Sequence, residues 1–69
     1  MIKEALHILI RGEDLSYDTT KEVMNEIMSG DATNAQIASF LTALRIKGES
    51  IDEITACAAV MREKGVKRV

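Results

Sequence analysis

The sequence predicts an all-α fold, a compact bundle of four short helices. Each of the four glycines follows an amphipathic stretch, where glycine commonly ends a helix because it enters the left-handed conformation without a Cβ clash. A serine or threonine that can cap a helix precedes three of these stretches. No segment alternates polar and apolar residues for long enough to indicate a strand.

The first predicted helix covers residues 2–11 and ends before Gly12. Its apolar residues recur at helical spacing and form one stripe of Ile2, Ala5, Leu6 and Leu9. Ile8 and Ile10 lie off this stripe. Surplus apolar residues on a helix that already has a core face predict a second buried surface.

The second predicted helix covers residues 17–29, with Ser16 as its cap and Gly30 as its end. Its apolar residues are few and concentrate in the last two turns, at Val23, Met24, Ile27 and Met28. We therefore expect a shorter core face on this helix than on the others.

The third predicted helix covers residues 34–47 and the fourth covers residues 51–64, before Gly48 and Gly65 respectively. Both begin with the pattern of a capping box, in which two residues satisfy each other's free backbone N–H groups. These pairs are Thr33 with Gln36 and Ser50 with Glu53. The expected stripes are Ile37, Phe40, Leu41 and Leu44 in the third helix and Ile51, Ile54, Ala58 and Met61 in the fourth.

The composition excludes several classes of protein. With 69 residues the chain forms one domain at most, and 46% hydrophobic residues are too many for intrinsic disorder. The longest apolar run, residues 56–61, is too short to span a membrane, and the N-terminus does not resemble a secretory signal. We therefore expect a cytoplasmic protein.

Several side chains are of types that catalyse reactions or bind metals, but each of them is more simply interpreted as a structural or surface residue. His7 has no nucleophile beside it on its helical face, and it is interpreted as a surface histidine. Cys57 has no second cysteine to pair with and is interpreted as a small packed residue. The acids Glu13, Asp14 and Asp18 lack the spacing of a calcium loop and are interpreted as solvated loop charges and favourable charge at a helix start. We expect no catalytic, cofactor-binding or metal-binding residue in this chain.

Charge is distributed unevenly. Residues 1–31 carry three basic and seven acidic groups, whereas residues 32–69 carry six basic and four acidic groups. A stand-alone helix-turn-helix DNA-binding module is therefore one alternative, based on the third and fourth helices. The isoelectric point near 5.3 argues against nucleic-acid binding.

Residues 30–50, GDATNAQIASFLTALRIKGES, resemble the N-terminal helical domain of the anthranilate phosphoribosyltransferase family. That family shows the run G-x-A-T-x-A-Q-I-A-x-F-L-x-A-L-R-x-K-G-E. The resemblance extends over essentially the whole chain, through Leu15-Ser16 and Ile27 to Gly30 on one side and through residues 52–63 on the other. Pyrimidine nucleoside phosphorylases share this kind of helical domain, and they remain the alternative family.

The resemblance implies a domain of an enzyme that transfers phosphoribosyl from phosphoribosyl pyrophosphate to anthranilate in tryptophan biosynthesis, with magnesium. The family's catalytic residues lie in a larger α/β domain, so this chain by itself is expected to be inactive. Residues 1–65 would be the helical domain, and residues 66–69 would begin the linker to the absent domain. The resemblance also implies a homodimer, with core or contact residues at Leu6, Ile10, Phe40 and Leu44.

Overall fold

The computed structural model describes residues 1–65, which form four α-helices and no strand. The helices are α1 (Ile2–Ile10), α2 (Tyr17–Met28), α3 (Asn34–Lys47) and α4 (Ile51–Glu63). The predicted all-α fold is therefore confirmed. The predicted linker at residues 66–69 lies outside the described residues.

Local signals at the helix ends account for these boundaries. Both predicted capping boxes are present, one between Thr33 and Gln36 and one between Ser50 and Glu53, and Ser16 caps α2. Helices α1, α2 and α4 end one residue earlier than predicted, so that one residue, Arg11, Ser29 or Lys64, separates each of them from its glycine. Only α3 ends directly at its glycine, Gly48, which adopts a φ of 90°.

The helices pack in two pairs around one core. α1 packs mainly against α3 and α2 mainly against α4, with a smaller contact between α1 and α2. Phe40 and Val23 are fully buried where these pairs meet. The buried apolar cluster consists of Ile2, Ala5, Leu9, Leu15, Val23, Met24, Phe40, Leu44 and Val60.

The orientation of α4 differs from the sequence expectation. Ile51, Ile54 and Met61, which were expected to form its core stripe, are 82%, 53% and 40% exposed. The residues that α4 buries are Glu53, Ala56 and Val60. The predicted stripe is therefore wrong as a core face, because α4 is turned so that a carboxylate points inward.

Helix α3 shows a smaller difference of the same kind. Phe40 and Leu44 are buried as its stripe predicts, but Leu41 is 52% exposed. Across residues 1–65, no helix is long and apolar enough to cross a membrane.

Candidate functional site

Glu53 is an acidic residue in the first turn of α4, yet its side chain is completely buried. Its Oε2 accepts a hydrogen bond from the Leu15 N–H at 2.7 Å. Its Oε1 accepts from the Ser50 N–H and from Lys47 Nζ, both at 2.8 Å. One carboxylate therefore joins the α1–α2 loop, the end of α3 and the start of α4.

Lys47 is the cation that faces this carboxylate, and its side chain is only 5% exposed. Its Nζ donates to Asp14 Oδ1 at 2.7 Å, to the Gly48 carbonyl at 2.8 Å and to Glu53 Oε1. An ammonium group has three protons to donate, so all of them are used. Asp14 was expected to be a solvated loop charge. Its side chain is indeed 65% exposed, and the structure adds that Asp14 is a direct partner of Lys47.

The surroundings of the ion pair shift both pKa values. Burial acts to raise the pKa of the Glu53 carboxyl, but hydrogen bonds from Lys47 and from two backbone N–H groups outweigh burial and lower the pKa. Burial acts to lower the pKa of the Lys47 ammonium, but bonds to Asp14 and Glu53 outweigh it and raise the pKa. Both residues are therefore charged near neutral pH, and neither is suited to exchange a proton there.

The polar atoms of this cluster are used within the fold. Among the described residues, every buried side-chain nitrogen or oxygen has a hydrogen-bond partner. No group of three or more His, Cys, Asp or Glu residues within residues 1–65 is placed to hold a metal ion. The cluster of Lys47, Glu53 and Asp14 is therefore a structural clamp, and we name it the ion-pair clamp.

His7 and Cys57 lie in different helices. His7 is exposed in the last turn of α1. Cys57 is a partly buried free cysteine in α4. Burial, with a smaller effect from the charges of Glu53 and Glu49, raises the pKa of the Cys57 thiol. The side chain is therefore a neutral thiol near neutral pH, which agrees with its interpretation as a packing residue.

A first apolar groove lies between α1 and α3, and we name it the α1/α3 groove. It encloses about 750 Å³, and its lining includes Leu6, Ile10, Ala38, Thr42, Ala43 and Ile46. Ile10 and Ile46 are 75% and 83% exposed. Small residues of α3 form much of its floor, which leaves room for another helix to approach closely.

The proposed contact residues occupy different places relative to this groove. Leu6 is partly buried and lines it, and Ile10 lines it as an exposed side chain. Phe40 and Leu44 belong to the buried core. Sequence reasoning missed Ile46, although this residue lies off the α3 stripe just as Ile10 lies off the α1 stripe.

A second apolar groove lies between α3 and α4, and we name it the α3/α4 groove. It encloses about 330 Å³, and its apolar lining is Leu41, Leu44, Ile54, Cys57, Ala58 and Met61. Three charged residues also line it, namely Glu49, which precedes α4, Glu53 of the clamp, and Arg62 in the last turn of α4. The groove thus has acids near one end and a base near the other.

Comparison with known proteins identifies the kind of domain that carries these surfaces. Residues 3–65 match the family described as "Glycosyl transferase family, helical bundle domain". The chain belongs to this family, and its helical fold agrees with that description.

Within the family, the chain is similar to the N-terminal part of anthranilate phosphoribosyltransferases. It is 66% identical over 64 residues to those of Endomicrobium trichonymphae and Ruminiclostridium cellulolyticum, covering 93% of this chain and 19% of each relative. It is 61% identical over 67 residues to that of Lachnoclostridium phytofermentans, covering 97% of this chain and 20% of the relative. The chain thus spans about a fifth of the length of these curated relatives, and the resemblance inferred from residues 30–50 is confirmed.

Replacing Lys47 by methionine is expected to destabilise the fold by about 3 kcal/mol, because it leaves a buried carboxylate without its cation. Lys21→Met is the matched control. Lys21 pairs with Glu63 at 3.2 Å, but its side chain is 34% exposed. The control should therefore cost less than about 1 kcal/mol. Urea unfolding followed by circular dichroism measures both changes, and equal losses would contradict a structural role for the clamp.

The clamp also predicts how stability depends on pH. Because the pKa of Glu53 is lowered on folding, its contribution is present above the unfolded value of roughly 4.3 and is lost as the pH falls below it. Because the pKa of Lys47 is raised, its contribution is present below roughly 10.4 and is lost as the pH rises above it. The contribution of the clamp to the unfolding free energy is thus expected to form a plateau between about pH 5 and pH 10, while the raised pKa values of the N-terminal amine and of the Cys57 thiol begin to lower the total above their unfolded values of 8.0 and 9.0.

Urea unfolding across the pH range tests this plateau, and carboxyl-carbon NMR reports the titration of Glu53 directly. The Glu63→Gln variant is the control, because it removes a carboxylate outside the clamp. It should keep the acid limb of the curve. A protein that becomes more stable between pH 5 and pH 3 would contradict the assigned direction for Glu53.

Proposed function

We propose that this chain is the helical domain of an anthranilate phosphoribosyltransferase. The observation that carries the proposal is its 66% identity to two such enzymes over 93% of the chain. The complete polypeptide would transfer a phosphoribosyl group from phosphoribosyl pyrophosphate to anthranilate in tryptophan biosynthesis. We expect it to act in the cytoplasm, where Cys57 stays reduced.

In this proposal the helical domain contributes surfaces, and the rest of the polypeptide contributes the chemistry. Lys47 and Glu53 form a buried ion pair, exposed Asp14 is a further partner of Lys47, and the pair is also bonded to backbone. They are therefore poor candidates for ligands of magnesium or of a pyrophosphate. We assign those ligands to the remaining part of the enzyme, and we propose that this chain alone is inactive.

We further propose that the α1/α3 groove is the contact with a second copy of the chain. Ile10 and Ile46 stand exposed at its rim, beside the small residues Ala38 and Ala43. In a two-fold dimer the same patch serves both partners, so Ile10 of one copy can pack into the groove of the other. Burying these two side chains would remove the largest apolar exposure on this side of the domain.

The dimer proposal predicts that Ile10→Glu and Ile46→Glu each convert the protein to a monomer, because each places a charge in an apolar contact. Ile51→Glu is the matched control, since Ile51 is 82% exposed and lines neither groove. Sedimentation velocity over a range of concentrations measures the change. A wild-type protein that stays monomeric at high concentration would contradict the proposal.

The enzymatic proposal predicts no loss of anthranilate when this chain alone is mixed with phosphoribosyl pyrophosphate and magnesium. A fusion that replaces the matching N-terminal region of the Ruminiclostridium cellulolyticum relative with this chain is expected to consume anthranilate, as followed by its fluorescence. The unaltered relative is the positive control. Turnover by the chain alone would overturn the proposal. A fusion that instead splits pyrimidine nucleosides with phosphate would indicate the nucleoside phosphorylase alternative.

A further inference from the structure

One end of the α1/α3 groove lies beside the ion-pair clamp. Lys47, the last residue of α3, lines the groove together with Gly12, which follows α1. The two most exposed apolar side chains of the groove belong to this end. Ile46 directly precedes Lys47, and Ile10 lies four positions before Asp14. The part of the groove proposed to meet a second copy is therefore the part nearest to the clamp.

A single polar contact connects the α1 side of this groove to α3. Lys47 Nζ donates a hydrogen bond to Asp14 Oδ1 at 2.7 Å, and within residues 1–65 no other hydrogen bond or ion pair joins α1 or the α1–α2 loop to α3. The neighbouring Leu15 N–H bonds to Glu53 and so ties the same loop to α4. The core that α1 and α3 share is apolar.

The two kinds of contact constrain the helices differently. Apolar burial has no preferred direction, whereas a hydrogen bond is confined to a narrow range of lengths and angles. The bond between Asp14 and Lys47 therefore fixes the position of the loop relative to α3 more narrowly than the core does.

Lys47 offers Asp14 a fixed partner. The Lys47 side chain is 5% exposed, and its other two protons are bonded to the Gly48 carbonyl and to Glu53. Asp14 itself is 65% exposed, so its carboxylate contributes little to stability compared with the buried pair. A substitution of Asp14 can therefore change the groove and leave the helices folded.

We propose that the bond between Asp14 and Lys47 is a positioning contact for the second copy. It holds the C-terminal end of α1 against that of α3, and so sets the separation between Ile10 and Ile46. The inference rests on the dimer proposed above. In a two-fold dimer both copies present the same patch, so the bond acts twice in each contact. A groove that already has one width loses less conformational entropy when the copies pair.

The test compares Asp14→Ala with Glu13→Ala in the 69-residue chain. Glu13 is the matched control because it is the preceding acid of the same loop, is 63% exposed, and has Arg11 as its partner at 3.8 Å. Asp14→Ala is expected to raise the dimer dissociation constant about tenfold, because pairing must then restore the groove. Glu13→Ala should change it less than about twofold. Sedimentation velocity over a range of concentrations measures both constants.

Two further measurements show that the effect belongs to the Asp14 carboxylate. Asp14→Glu keeps a carboxylate in the loop and is expected to retain most of the dimer affinity. Circular dichroism is expected to show the same helix content in both alanine variants, since both carboxylates are largely exposed.

A distance measurement separates positioning from a direct contact with the second copy. Nitroxide labels on Ile10→Cys and Ile46→Cys report the width of the groove within one copy, once Cys57→Ala has removed the native thiol. Pulsed electron paramagnetic resonance should show a broader distribution of label separations with Asp14→Ala and no change with Glu13→Ala. Weakened pairing with an unchanged separation would mean that Asp14 touches the second copy directly, and the positioning role would be wrong.

The outcomes distinguish this inference from the proposed function. A wild-type chain that stays monomeric contradicts the dimer itself, whatever the labels report. A wild-type dimer that Asp14→Ala leaves unchanged, or that Glu13→Ala weakens equally, contradicts only the positioning role of Asp14.

Discussion

The buried contact between Lys47 and Glu53 is the interaction on which the arrangement of this domain depends. A charged pair removed from water is stable only when its remaining hydrogen-bonding groups are satisfied. Here the backbone N–H groups of Leu15 and Ser50, together with Asp14, satisfy them. The pair therefore joins three chain segments, and removing either partner would leave a buried charge without its counter-ion.

This contact also decides which surfaces the domain presents. Because the Glu53 carboxylate must face inward, α4 is rotated, and Ile54 and Met61 turn outward. On α3, Lys47 reaches toward the clamp while Ile46, one residue earlier, faces solvent. Lys47 lines the α1/α3 groove and Glu53 lines the α3/α4 groove, so the clamp lies beside both of them. The chain has one cysteine and so cannot form an internal disulfide, and its core is small. The polar contact therefore helps the core to hold the helices together.

The two apolar grooves support the role proposed for this domain, which is to provide contact surfaces. Small domains have little apolar surface to bury. Because this chain leaves Ile10, Ile46 and Ile54 exposed, burial of those side chains does not contribute to its folding free energy. Contacts with a second copy and with a larger domain would recover that contribution. The contribution of this domain to the reaction would then be to position other parts of the enzyme, through surfaces that lie on different sides of α3.

The sequence by itself determined the four helices, because the signals that start and stop them act over only three or four residues. It also determined the family, since residues 30–50 carry the family's pattern as a continuous run. Only the tertiary structure decided the rotation of α4 and the role of Asp14. Those depend on contacts between residues 38 and 33 positions apart, from Leu15 to Glu53 and from Asp14 to Lys47. Helical periodicity records which residues share a face of one helix, but which face is buried depends on partners that the chain supplies from elsewhere.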